Sequence, residues 1–363
     1  MVQPFFGFWE KLSKPIIGLA PMDGVTDFAF RYIVARHGRP DVIFTEFTTA
    51  EGMFYVPERV LKDFEYHEME RPVVAQLFGS KPEEFYKATH VVCELGFDGV
   101  DINMGCPSKQ IVKQAAGAAL IRDQPRALAI LQSVRAAIHD WSQGQTLEKI
   151  KLSQVLIDIV EQMNLARTGK KRPAERRLLP YSLKTRIGYE EVVIESWIET
   201  LLTEAPAAIS IHGRTLQQMY KGEANWEMIR RAATVAKGSG TLILGNGDIA
   251  SIEDAKRWVA ESGVDGALIG RQAIGNPWVF KNKTADQTLR LQTALEHARY
   301  FVSHRPTENF KCLNKHLIQY LRHFPEAAQI RMAAVAARDV EELNALLFPA
   351  REQTVSAGNH KEG

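Results

Sequence analysis

Apolar and polar positions along this chain follow a long-range rhythm. Short apolar, β-branched runs recur, each followed by a polar or glycine-rich turn. They are Ile16-Ile17-Gly18-Leu19-Ala20, Val42-Ile43-Phe44, Val73-Val74-Ala75 and Gly99-Val100-Asp101-Ile102, then Tyr181-Ser182-Leu183-Lys184, Ala208-Ile209-Ser210-Ile211, Leu242-Ile243-Leu244 and Ala267-Leu268-Ile269. Most begin about 25 to 35 residues apart, the repeat of a strand-plus-helix unit. The segments between them carry apolar residues close to helical spacing. Phe85, Ala88, Val92 and Leu95 do so within Glu83 to Leu95, and Ala255, Val259 and Ala260 within Ile252 to Ser262. Eight such units predict an α/β fold, a (β/α)8 TIM barrel. An open doubly wound sheet is the alternative, but no G-x-G-x-x-G follows the first strand.

One interval breaks the rhythm. Roughly 80 residues separate the fourth and fifth runs instead of about 30. An insertion over about residues 141–180 accounts for the excess. Its first half, from Ile150 through Val155, Leu156, Ile159 and Met163, has the pattern of an amphipathic helix. Its second half places Arg167, Lys170, Lys171, Arg172, Arg176 and Arg177 around Pro173, which predicts a flexible basic segment. That segment is either a solvated excursion or a grip on a polyanion. After Lys283 only helical patterns remain, at Leu289 to Ser303, Phe310 to Phe324, Ala327 to Ala337 and Val340 to Leu347. The expected organisation is a barrel domain over residues 1–283, a small all-α helical domain over 284–350, and a polar tail over 351–363 expected to be disordered.

Composition narrows the setting. With 363 residues, 45% hydrophobic and 24% charged, the chain has the profile of an ordinary soluble protein. Its three cysteines, Cys93, Cys106 and Cys312, form no CxxC pair and no disulfide framework, which predicts a reducing cytoplasm. Met1 to Lys14 lacks the pattern of a signal peptide, and no apolar stretch is long enough to cross a bilayer. A monomer without a membrane partner is expected. The net charge of +2 leaves any affinity for nucleic acid to local basic patches.

In a parallel barrel, chemistry sits beyond the carboxyl ends of the strands. The most informative such position follows the fourth strand, in Asp101-Ile102-Asn103-Met104-Gly105-Cys106-Pro107-Ser108. It places an amide and a thiol just past the strand, with Pro107 ending the ladder. The other strand ends present Pro21-Met22-Asp23-Gly24, Gln76, Lys184 with Arg186, His212-Gly213-Arg214, Gly245-Asn246-Gly247-Asp248 and Gly270-Arg271. Each alone has a plain structural reading: a buried cysteine, a turn, a solvated charge. Together they line one rim. Glycines after the last two strands allow main-chain N–H groups to approach a phosphate, a following helix start favours the anion, and Arg271 adds a guanidinium contact. Gln76 can both donate to and accept from a flat heteroaromatic ring. Lys184 places positive charge where a reduced ring would develop negative charge. Two ligands satisfy this pattern, flavin mononucleotide (FMN) and a sugar-phosphate.

The chain resembles the tRNA dihydrouridine synthases. The matching elements are Ala20-Pro21-Met22-Asp23-Gly24-Val25-Thr26-Asp27, Thr45-Glu46, Ala75-Gln76-Leu77-Phe78-Gly79, the Asn103-Met104-Gly105-Cys106-Pro107 element and Ala116-Gly117-Ala118-Ala119-Leu120. Lys184-Thr185-Arg186, Ile211-His212-Gly213-Arg214-Thr215, Gly245-Asn246-Gly247-Asp248 and Ile269-Gly270-Arg271 continue the series in the family's order. The resemblance implies that Pro21, Met22, Asp23, Gln76, Lys184, His212, Asn246, Gly247, Asp248, Gly270 and Arg271 hold FMN. It implies that Asn103 contacts the uracil, that Cys106 donates a proton, and that NADPH supplies electrons. The substrate it implies is tRNA, gripped by the helical domain, where Lys311, Lys315 and Arg322 fall on one face of the second predicted helix. The insertion departs from the family pattern and bears on how tRNA docks. Two other readings stand beside this one: an FMN barrel acting on a free pyrimidine, and a non-catalytic tRNA-binding protein that retains the barrel.

Overall fold

The computed structural model describes residues 3–322 and 324–349; the tail expected over 351–363 lies outside them. Eight parallel strands close into a barrel in the order β1 to β8. They are β1 (Ile16–Leu19), β2 (Ile43–Thr49), β3 (Val73–Phe78), β4 (Gly99–Met104), β5 (Tyr181–Arg186), β6 (Ala208–His212), β7 (Leu242–Asn246) and β8 (Gly266–Ile269). β1 pairs with both β2 and β8, so no edge strand is left exposed. Helices follow the strands as the 3.6-residue pattern predicts. Pro82–Glu94 and Ile252–Ser262 match the two helices marked in the sequence to within one residue.

Side chains alternate between two apolar layers, as a strand's period of two requires. Val73, Ala75, Leu77, Val100, Ile102, Met104, Leu183, Ile209 and Ile243 pack outward against the helices. Ile16, Val42, Phe44, Val74, Ala208, Leu242, Leu244 and Leu268 fill the interior. Trp9, from the turn Gly7–Lys11, joins this inner set and packs against Phe44 with ring centroids 6.5 Å apart. Its neighbours lie at the strands' amino ends, so Trp9 floors the barrel. Above the apolar layer the inward positions become polar: Gln76, Asp101, Asn103, Ser182, Lys184, Ser210, His212 and Asn246. The barrel is thus dry at its amino end and polar at its carboxyl end.

β2 carries a register shift between Phe44 and Phe47, where one extra residue bulges out of the β3 pairing. The bulge turns the Thr45 hydroxyl onto β3, where Thr45 Oγ1 accepts the main-chain N–H of Gln76 at 3.0 Å.

The long interval before β5 contains two features. Gln124–Ser142 is the crossover helix expected after β4, and Gln154–Thr168 is the additional helix. Ser153 caps the latter, and Leu156, Ile157 and Val160 bury its inner face. The basic stretch beyond it, expected to be a flexible arm, is pinned instead. Arg167 reaches the carboxylate of Glu68 and the carbonyl of Leu95, and lies over the Tyr66 ring. Arg172 pairs with Glu148 and Glu161, and Lys171 with Glu161. Arg176 donates to the carbonyls of Trp141 and Gln145 and to Glu94, which also accepts from Trp141 Nε1 at 2.7 Å. The sequence showed the cations but not their pairing: Glu148 and Glu161 meet them from within the insertion, and the other acids come from distant segments. Glu68, Glu94, Leu95 and Asp98 precede β3 and β4. The insertion therefore sits at the amino end of the barrel, opposite Cys106.

The chain divides into two compact units between Thr284 and Ala285. The second contains helices Gln287–His304, Asn314–Tyr320, Ala327–Ala336 and Val340–Leu347. The helix expected over Phe310 to Phe324 is broken. Asn309 accepts the Lys311 N–H and opens a 3-10 turn at Phe310–Leu313, and the helical part ends at Tyr320. Leu321 then leaves helical geometry, and its carbonyl accepts from Arg331 at 2.7 Å. Lys311, Lys315 and Arg322 are all exposed, but they lie on a turn, a helix and the segment after it. They do not share one helical face. Among the described residues no helix is long and apolar enough to cross a membrane.

The pinning of the insertion predicts a stability effect. Arg176→Ala leaves the buried Glu94 carboxylate without its cation and lowers unfolding free energy by about 3 kcal/mol. Urea denaturation of the variant measures it.

Candidate active site

The turn after β4 is held from several directions. Asn103 Oδ1 accepts the main-chain N–H of Cys106 at 2.9 Å and of Gly105 at 3.1 Å. Its Nδ2 donates to Gln76 Oε1 at 2.9 Å, and Gln76 Nε2 donates to Asp101 Oδ2 at 2.6 Å. Arg186 Nε donates to the Gly105 carbonyl at 2.6 Å, while its Nη1 reaches the carbonyls of Thr215 and Met219 at 3.1 and 3.2 Å. One buried guanidinium thereby joins the Cys106 turn to the loop after β6. Behind the turn, Ala118 N–H donates to the Cys106 carbonyl at 3.2 Å. Gly117 lies there with φ of +60°, and a Cβ on it would stand 3.0 Å from the Cys106 carbonyl oxygen. That contact and the positive φ account for glycine at position 117.

Cys106 is half-buried. Burial pushes its thiol above the usual range, with Asp23 reinforcing the shift and the Ser108 N–H, Arg186 and Lys184 opposing it. At pH 7 it is a neutral thiol, the form that can give up a proton. Lys184 lies beside Asn103 in the β4–β5 register. Its amine is pushed down to about 8, first by burial and then by Arg186, so it remains a cation at neutral pH. Among the described residues its amine makes no hydrogen bond or ion pair.

His212 is pushed down to about 2, chiefly by burial and then by the charges of Lys184, Arg186, Arg214 and Arg271. It is a neutral imidazole in a positive field. Asp248 balances part of that field. Arg214 grips both of its oxygens, Arg271 Nη2 reaches it at 2.9 Å, and the Ala224 N–H donates to it at 2.8 Å. Asp248 is thus an anchor for two arginines. Asn246 lies opposite His212 in register, and its Nδ2 donates to the Leu268 carbonyl at 2.8 Å. Gly247, at φ of +131°, brings its backbone against His212 and Ala224, where a Cβ would stand 2.6 Å from Ala224 Cβ. Trp226 Nε1 supports this turn by donating to the Gly247 carbonyl at 3.1 Å.

Across the β8–β1 seam, Met22 lies against Gly270, with its main-chain N–H on Thr26 Oγ1 at 3.0 Å. Pro21 and Met22 are half-buried and Asp23 is exposed. The helix start expected after β8 is a three-residue 3-10 turn, Arg271–Ala273. The barrel thus brings Pro21, Met22, Asp23, Gln76, Asn103, Cys106, Lys184, His212, Asn246, Gly247, Asp248, Gly270 and Arg271 to one mouth. Lys311, Lys315 and Arg322 belong to the helical unit.

Comparison with known proteins decides the family. A profile described as "Dihydrouridine synthase (Dus)" matches residues 18–167 and 150–354. The chain belongs to the dihydrouridine synthase family. A Bacillus subtilis (strain 168) relative named "Probable tRNA-dihydrouridine synthase 2" is 32% identical over 94% of this chain and 95% of its own length. A Staphylococcus aureus (strain MRSA252) relative named "Probable tRNA-dihydrouridine synthase" is 31% identical over 94% of each chain. In this dihydrouridine synthase, Asp101, Ser182 and Thr45 stood within the quoted motifs and runs, but sequence reasoning gave them no role in the site. Counting two residues back from Lys184 along β5 reaches Ser182 on the same inward face. The Thr45 contact required knowledge of the bulge.

The neutral thiol gives a direct test. In a Cys312→Ser background, alkylation of Cys106 by iodoacetamide stays slow at pH 7 and rises only above about pH 8.5, the ordinary thiol range. Rapid alkylation at pH 7 would reveal a thiolate instead.

Proposed function

We propose that this enzyme reduces the C5=C6 bond of uridines in tRNA, with FMN as cofactor, NADPH as electron source and Cys106 as proton donor. The observation that carries the reading is the geometry past β4, where Asn103 fixes the Cys106 turn and stands in register with Lys184, whose amine has no hydrogen-bond or ion-pair partner among the described residues. The residues at the mouth fit FMN. Gln76 keeps one N–H and one acceptor site beyond its bonds to Asp101 and Asn103, which suits a ring edge of mixed donors and acceptors. At Gly270 a side chain would meet only Met22 Sδ at 3.4 Å and Ala20 Cβ at 3.7 Å, and its φ of −107° and ψ of −103° already favour glycine there. The open space beside its backbone, with Arg271 next to it, would suit a phosphate.

When bound, reduced FMN would supply hydride chemistry toward the uracil ring. The chain's own groups manage the rest. Asn103 has committed its oxygen to two N–H groups and one N–H to Gln76, leaving one N–H free for an acceptor. A uracil carbonyl matches that donor. Cys106 holds on Sγ the proton that C5 requires, and Lys184 supplies a fixed cation near the charge that develops on reduction. Reaching this mouth requires the base to leave its stack, so the enzyme needs a grip on the RNA backbone. The pinned insertion faces the opposite end of the barrel and is not that grip. The exposed Lys311, Lys315 and Arg322 of the helical unit are the proposed phosphate contacts. We read the enzyme as a cytoplasmic monomer.

Two experiments test this reading. Mass spectrometry of digested tRNA should show a gain of two hydrogens at a mapped uridine after incubation with the wild-type enzyme and NADPH. Cys106→Ala should keep flavin and tRNA binding while losing about 10² to 10⁴ in rate; an unchanged rate removes Cys106 from the reaction.

Charge reversal at Lys311, Lys315 and Arg322 should weaken tRNA binding and lower the log–log salt slope by roughly 0.7 to 0.9 for each phosphate no longer neutralised. Flavin content should not change. Affinity indifferent to all three favours a free pyrimidine as substrate.

A further inference from the structure

We propose that Asp101 is a positioning residue for uridine reduction: it sets the donor–acceptor polarity of a buried amide relay that ends on the main chain of Cys106. The inference rests on the reading of Cys106 as the proton donor. Asp101 lies in one layer with Gln76 on β3 and Ser182 on β5, each its direct partner in register. All three are buried. Its carboxylate accepts twice, from Ser182 Oγ at 2.6 Å on Oδ1 and from Gln76 Nε2 at 2.6 Å on Oδ2. Beyond Gln76 the relay runs through Asn103 to the N–H groups of Gly105 and Cys106.

An amide side chain has two faces of opposite polarity, and Gln76 and Asn103 could each turn over by 180°. An ionised carboxylate has only one polarity. Facing Asp101, Gln76 must present Nε2, which turns Oε1 towards Asn103. Asn103 must then present Nδ2 to Gln76, which turns Oδ1 towards the turn that carries the thiol. If both amides reversed, Asn103 Nδ2 would face the N–H groups of Gly105 and Cys106, and two buried donors would lose their acceptor. The relay also fixes which atom Asn103 offers to a base, the remaining N–H. Asp101 touches neither substrate nor thiol; it acts through two amides. Burial pushes its carboxyl up to about 6, with Ser182, Gln76 and Lys184 holding it down. It is therefore mainly ionised at neutral pH, consistent with an acceptor-only anchor.

A polarity swap separates this role from packing. Gln76→Glu sets two carboxylates against each other and should lower kcat for uridine reduction at least tenfold. Adding Asp101→Asn restores a donor to that contact. The amide introduced at position 101 donates to the carboxylate introduced at position 76, and its oxygen accepts from Ser182. The carboxylate at position 76 still accepts from Asn103. The double variant should therefore recover at least tenfold over Gln76→Glu. Position 76 carries the same fully buried side-chain type in both proteins, so the recovery reports its partner at position 101. Asp101→Asn alone can present either polarity to Gln76 and should lower kcat by about threefold to tenfold, whereas Asp101→Leu should lose at least tenfold in kcat with little change in KM for tRNA. Rates are normalised to bound flavin, and melting temperatures are recorded for each protein. Should Gln76→Glu or Asp101→Leu fail to fold, recovery of folded flavoprotein in the double variant replaces the rate as the readout. A double variant no better than Gln76→Glu, or Asp101→Leu with the kcat of wild type, overturns the proposal. A wild-type enzyme that makes no dihydrouridine fails instead the functional reading, and this inference with it.

Discussion

The in-register pairing of β3, β4 and β5 is the constraint on which the site depends. Parallel strands shifted by one residue would turn every inward side chain outward. Here the register puts Gln76, Asp101 and Ser182 side by side in one layer and Asn103 beside Lys184 in the next. The Thr45 bulge protects that register by satisfying the Gln76 N–H where β2 departs from the ladder. Once those three strands are set, the polar half of the barrel has little freedom left. Arg186 then extends the same order sideways, from the Gly105 carbonyl to the loop after β6.

Most of the architecture was legible because its signals are local. Eight apolar runs with helical intervals between them specify eight strands without reference to distant contacts, and all eight are present. The mouth was legible for a related reason: in a parallel barrel the residue that ends a strand also faces the rim. The groups that sequence reasoning missed are those whose meaning comes from a partner far along the chain. Ser182 is an ordinary strand serine until Asp101 stands opposite it. Asp248 was named at the rim, but its pairing with Arg214 and Arg271 depends on the barrel bringing separate strand ends together. The same limit governs Lys311, Lys315 and Arg322, where an Asn309 cap and an early end at Tyr320 broke a periodicity that looked continuous.

Electrostatics divides the molecule as clearly as hydrophobicity does. At the mouth, four cations surround one neutral imidazole, and Asp248 offsets part of that charge. At the insertion, arginines are matched closely by Glu68, Glu94, Glu148 and Glu161. The two groups of cations therefore differ: those at the mouth, drawn from separate strand ends, outnumber the carboxylate beside them, and those of the insertion are used to hold the chain.

The turn at Gly169 closes the added helix with φ of +72°, and nothing approaches within 4 Å of the place where its side chain would be. It lies on the end of the barrel that faces away from Cys106, beyond the acids that anchor its flanks. Exposed turns of this kind tolerate spliced sequence. This corner is accordingly the natural attachment point for a fluorophore, an affinity handle or a whole fused domain, because cargo carried there loads the floor of the barrel while the opposite mouth stays clear.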